Sequence, residues 1–120
     1  GFRTRVVAGL VERGQAAEAV DIAACYPDDL ADMQYTQALA LHMAGRGEEA
    51  RDAALAALEA YPGVGKILLA ASPRKPRKDG RDGCTPGSDE EAWLYREEFL
   101  PLWEKMGALA WLAQLARKKG

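Results

Sequence analysis

The sequence predicts an all-α domain built as a helix-turn-helix array, an α-α superhelix closed by C-terminal capping helices. Three observations carry that reading. Alanine stands at 23 of 120 positions while Val, Ile and Thr are sparse, and alanine loses no side-chain entropy in a helix. Apolar residues recur at helical rather than alternating spacing through most of the chain. Two segments of similar pattern follow one another: Arg13-Gly14 precedes Arg46-Gly47 by 33 residues and Tyr26-Pro27 precedes Tyr61-Pro62 by 35, so a period near 34 is expected. Such a period belongs to helical hairpins that bury their apolar faces by stacking.

Each element follows from local signals. Phe2, Val6, Val7, Leu10 and Val11 mark a first helix over 2–13, broken at Gly14. Ala16, Ala19, Val20, Ile22 and Ala23 mark a second over 15–25, stopped at Tyr26-Pro27 because proline cannot continue the hydrogen-bond ladder. A third, with Met33, Leu39, Ala40 and Met43, runs over 30–44 after the acidic turn Asp28-Asp29, and Gly45 supplies its left-handed cap. A fourth spans about 48–60 with Ala50, Ala53, Ala54, Ala57 and Leu58 as its stripe, and Tyr61-Pro62 ends it. Residues 63–71 suit a short helix. Residues 72–87, with three Pro, three Gly and five Lys or Arg, read as a basic loop. Ser88-Asp89-Glu90-Glu91 then reads as a capping box. The helix it opens is interrupted by Pro101, where a kink or break near Phe99 is expected. After Gly107 a last helix carries Leu109, Leu112, Ala113 and Ala116 and ends on Arg117-Lys118-Lys119, which complement the dipole. One domain over 1–120 is expected, with a degenerate repeat at 1–27, a clearer one at 30–62 and a helical cap at 88–118.

Composition excludes several function classes. Uncharged apolar runs such as Ile67 to Ala71 are far too short for a bilayer. A net charge of −2 gives no overall field for a polyanion. Cys25 and Cys84 are too few for a disulfide framework and lack metal-ligand spacing, and no leader opens the chain, so a cytoplasmic protein with neither metal nor cofactor is expected. Gly1 in place of an initiator Met suggests that residues are missing on the N-terminal side. His42 is the only histidine and has no Cys or Asp positioned to form a nucleophile pair. Gly63-Val64-Gly65-Lys66 is a fragment of a phosphate loop without its strand. No enzyme is expected.

Ala38, Ala50 and Ala57 fall at small-residue positions and Pro62 at a terminal proline when Ala31 is taken as the first residue of a repeat. In these positions the second hairpin resembles the tetratricopeptide repeat (TPR). Pro27 comes about four residues early in the first hairpin, which is therefore TPR-like only. Tyr61-Pro62-Gly63-Val64, Leu68-Leu69, Gly87 to Ala92, Tyr95, Trp103 and Gly107 to Leu112 look like the C-terminal part of the suppressor-of-tumorigenicity TPR proteins and of bacterial TPR proteins that share that ending. The resemblance covers roughly residues 31–112 and implies a protein-interaction module, without a reaction.

Transferring the family's concave groove onto the second hairpin gives Asp32, Tyr35, Leu39, His42 and Met43 as residues that contact a peptide or helix of a protein partner. Chaperone-binding relatives clamp a carboxylate with Lys and Asn, but Tyr35 and Leu39 occupy the comparable positions here, so that clamp is not expected. Packing of Tyr35, Leu39 and Met43 in the core is the alternative. Arg74, Lys75, Arg77, Lys78 and Arg81 give the basic loop a local charge of +3 after Asp79 and Asp82. They offer a second reading, an adaptor for nucleic acid or an anionic surface, although no aromatic residue is interleaved to stack on bases. Self-association as a homodimer through an uncapped repeat face is a third. Trp93, Trp103 and Trp111, with Tyr95 and Phe99, are expected to lock the cap over the open end of the repeats.

Overall fold

The computed structural model describes residues 2–25, 31–70 and 89–119. All elements among them are helices: α1 (Phe2–Glu12), α2 (Ala16–Ala24), α3 (Ala31–Met43), α4 (Gly47–Ala60), α5 (Pro62–Leu69), α6 (Asp89–Lys105) and α7 (Leu109–Lys119). Tyr26-Pro27, the acidic turn, the basic loop and Ser88 of the expected capping box lie outside the described residues.

One turn design joins three of the helix pairs. At Gly14 the backbone is left-handed, with φ 80°, the Gly14 N–H bonds the Val11 carbonyl and the Gln15 N–H bonds the Leu10 carbonyl. Gly45 repeats it with φ 81° and bonds from Gly45 to His42 and from Arg46 to Leu41. Gly107 repeats it again with φ 67° and bonds to Glu104 and, from Ala108, to Trp103. These are Schellman caps, in which glycine takes the conformation a Cβ penalises and two orphan carbonyls are satisfied. The structural offset between the first two turns is therefore Gly14 to Gly45, 31 residues, and not the 33 read from Arg-Gly pairs. Gly47 is the first residue of α4, so its likeness to Gly14 was compositional. The hairpins also differ in their second helices, 9 residues in α2 and 14 in α4.

A Cβ on Gly45 would meet no atom within 4 Å. Gly45→Ala thus isolates the left-handed penalty of about 1–2 kcal/mol. We expect the thermal midpoint to fall by roughly 4 °C per kcal/mol in a chain of this size, with the helical circular dichroism of the folded state unchanged.

Stacking follows the turns. α1 packs on α2, α3 packs on both of them, and α4 lies along α3. Ala38, Ala50, Ala54 and Ala57 are wholly buried, and their small side chains let neighbouring helices approach closely. Pro62 opens α5 at its first turn, where no backbone donor is missed. Within α5, Gly65 faces α3 and α4 so closely that a Cβ would stand 2.5 Å from Leu58 Cδ2 and 2.9 Å from Tyr35 Oη. α6 packs on α5 and reaches α1, and α7 packs on α4 and α5.

Of the kink or break expected near Phe99, the break does not occur, since α6 continues through Pro101 from Asp89 to Lys105. Pro101 is exposed, and so is Glu97, whose carbonyl loses its partner; water can satisfy that carbonyl where a buried one would be orphaned. No helix among the described residues is long and apolar enough to cross a membrane.

Candidate functional site

The face on which a partner was expected lies on α3, and the structure sets Tyr95 of α6 against it, with α6 itself packed on α5 and reaching α1. Arg5 Nε donates to Glu98 Oε1, and Lys105 Nζ donates to Glu12 Oε1 at 3.2 Å. Both pairs are separated by 93 residues, so α6 runs beside α1 in the same direction. These exposed pairs add little stability but report the register. Beneath them Ala92, Tyr95, Phe99, Leu102 and Trp103 form the buried stripe of α6.

Tyr95 anchors the contact with α3. Its ring lies 5.8 Å from that of Tyr35 and 4.7 Å from that of Phe99. Trp103 Nε1 donates to the Tyr95 hydroxyl at 3.0 Å, and that hydroxyl shares a second hydrogen bond of 3.0 Å with Thr36 Oγ1. Because an indole only donates, the phenol oxygen must accept from Trp103. Tyr35 donates to the Tyr61 carbonyl at 2.7 Å. Burial pushes both phenols above their ordinary pKa, so both stay protonated.

The predicted groove residues therefore separate. Tyr35 and Leu39 are 0% exposed, which corrects the expectation that they meet a partner. α3 is apolar nearly all round, with Met33, Ala38, Ala40 and Leu41 buried as well, and a helix of that kind belongs inside. Asp32 is half-buried, its Oδ2 accepting from Thr4 Oγ1 and its Oδ1 from the Met33 N–H, each at 2.9 Å. It ties α1 to α3. His42 stacks on Trp111 of α7, with ring centroids 4.2 Å apart and planes 16° from parallel. Only Met43, 39% exposed, is open to solvent. Tyr95, Phe99 and Trp103 thus pack as core and Trp111 packs partly against it, whereas Trp93 does not join it; α6 lies on α5 and reaches α1, while α7 covers α4. Arg74, Lys75, Arg77, Lys78, Arg81 and Cys84 lie outside the described residues.

Two effects act on His42 in opposite directions: an indole face attracts a cation, and burial disfavours one. Burial holds the imidazole below its ordinary pKa of 6.5. The unfolded chain then binds more protons than the folded one between the two values, so stability rises with pH there and is lost as pH falls below 6.5. A proton NMR titration should place His42 below 6.5, and the thermal midpoint should fall from pH 7.5 to about 5.5 in the wild type and less in His42→Gln.

Among the described residues a cleft of about 370 Å³ lies between the end of α5, α6 and α7. Its walls are Leu68, Leu69, Leu100 and Leu109 with the small residues Ala70, Ala110 and Ala113, and Arg96 and Glu104 are its charges. In the sequence Leu68, Leu69, Leu109 and Ala113 read only as helix or family-like positions, and none of the cleft residues reads as a site. The one signal for them was the spacing Arg96, Leu100, Glu104, which places three residues on one stripe of a helix.

Comparison with protein-family models, with curated proteins and with solved structures gives no match to this chain.

Proposed function

We propose that the chain is a TPR-like, non-catalytic interaction scaffold of the cytoplasm that holds a peptide segment of a protein partner. The observation that carries the reading is the open cleft between α5, α6 and α7: apolar walls with a few polar groups are the ordinary form of a binding pocket. The helix stacking supports the repeat part of the reading. The small-residue positions Ala38, Ala50 and Ala57 are wholly buried between helices, and the turns at Gly14 and Gly45 share one set of hydrogen bonds. The scaffold holds a helix of its own on α1 and α3, so a foreign segment is directed to the cleft. A rigid cleft of this kind costs little ordering on binding. The buried polar cluster of Thr36, Tyr95 and Trp103 is closed to solvent and cannot meet a substrate, which favours binding over catalysis.

The test is selection of displayed random peptides on the whole chain and on Ala110→Trp, which fills the cleft from an exposed position. Peptides enriched by the wild type and lost by the variant are the expected result. No enrichment, or equal enrichment by both proteins, contradicts the reading.

A further inference from the structure

The cleft contains a cation that no described residue answers. Arg96 Nε is buried without a hydrogen-bond partner, and Arg96 forms no ion pair among the described residues. Its guanidinium carbon stands 5.9 Å from the centroid of the Trp93 ring, a contact that orients the group without satisfying its donors. The Trp93 indole N–H is engaged elsewhere, donating to Glu97 Oε1 at 2.9 Å. Five N–H donors on a planar fork suit a carboxylate, and a charge left half-buried without one is costly. Along α6 the order is Arg96, Leu100, Glu104, so the two charges are set about 12 Å apart with an apolar wall between them.

Resting on the interaction reading above, we propose that the cleft binds an acidic–apolar peptide segment of a partner protein. A Leu- or Met-sized side chain fills the wall made by Leu68, Leu100 and Leu109, and the carboxylate of a neighbouring Glu or Asp joins Arg96. Glu104 fixes the direction, because it repels a carboxylate at its own end. The same residue and the chain's net charge of −2 disfavour a polyanionic nucleic acid. The cleft volume of about 370 Å³ lies at the small end of ligand pockets, matching one or two side chains rather than a whole helix.

The probe is a pair of libraries of N-acetylated, C-amidated heptapeptides, varied among Leu, Met, Phe and Ala, with one fixed Glu in the first and Gln in the second. Fluorescence polarisation on the full chain should show the best Glu peptides binding about tenfold more tightly than their Gln partners, as a charge-assisted pair predicts. Arg96→Gln should abolish that difference, and Arg96→Lys should keep part of it, which separates lost charge from lost folding. Equal binding of the two libraries, or a Glu preference that survives Arg96→Gln, overturns the proposal while leaving the interaction reading intact. Failure of every peptide removes both. A dimer in light scattering that dissociates in Arg96→Gln makes a second copy the occupant and also overturns it.

Discussion

Replacing Tyr35 and Leu39 together by Ala should unfold the protein rather than disarm a binding surface. Both side chains are 0% exposed in the centre of α3. Truncating a buried aromatic residue costs about 3–5 kcal/mol and a buried leucine about 2–5 kcal/mol, from lost burial and from the cavities left behind. The two positions are one helical turn apart, so the costs will not add strictly, but even a partial sum approaches the roughly 5–15 kcal/mol that holds a whole domain folded. Tyr35→Ala also leaves the Tyr61 carbonyl without its 2.7 Å donor. Circular dichroism at 25 °C should show a largely lost helical signal for the double variant. A folded double variant with an unchanged urea midpoint would mean that the two residues line an open groove after all.

Trp103→Ala carries the second large effect. The indole is the largest fully buried side chain among the described residues and lies on α6, where it supports the Tyr95 hydroxyl that meets Thr36 of α3, so its removal loosens that contact. A loss of about 3–5 kcal/mol is expected from truncation. Trp103→Phe separates the two contributions. It keeps most of the ring volume but removes the donor to the Tyr95 hydroxyl, which retains Thr36, and should cost only about 1–2 kcal/mol. Urea unfolding of the two variants reads both values. If Trp103→Ala melts like the wild type, α6 is not part of the core.

The helices were legible in the sequence because glycine and proline punctuate it at the points where the backbone turns. Gly14, Gly45 and Gly107 each sit where only glycine takes the left-handed cap easily, and Pro62 sits at a helix start. The repeat register was not legible. Arg46-Gly47 matches Arg13-Gly14 as letters, whereas the hydrogen bonds equate Gly14 with Gly45. Whether Pro101 would kink or break its helix was not legible either, because that depends on the exposure of the carbonyl it frees, which spacing alone does not reveal.

The groove failed on a signal that was present in the residues. Met33, Tyr35, Ala38, Leu39, Ala40 and Leu41 surround the axis of α3, and a helix with apolar residues on nearly every side belongs inside, leaving only its end at Met43 exposed. The occupant, α6, lies more than 50 residues further along the chain, and pairings at that separation leave no local pattern. Thr36 and Tyr95 illustrate this. Each looks ordinary on its own helix, and only the fold makes them hydrogen-bond partners. The cleft is equally non-local, because Leu68, Arg96 and Leu109 come from three elements.

Two-dimensional NOE spectroscopy of the intact chain examines the filling of α3 by its own C-terminal segment without any substitution. Tyr35 and Tyr95 ring protons should show cross-peaks, since the centroids are 5.8 Å apart, and His42 and Trp111 stronger ones at 4.2 Å. Absence of both sets, with Tyr35 accessible to a soluble paramagnetic probe, would mean that α6 and α7 do not cover α3 and that the face of α1 and α3 is free for a partner.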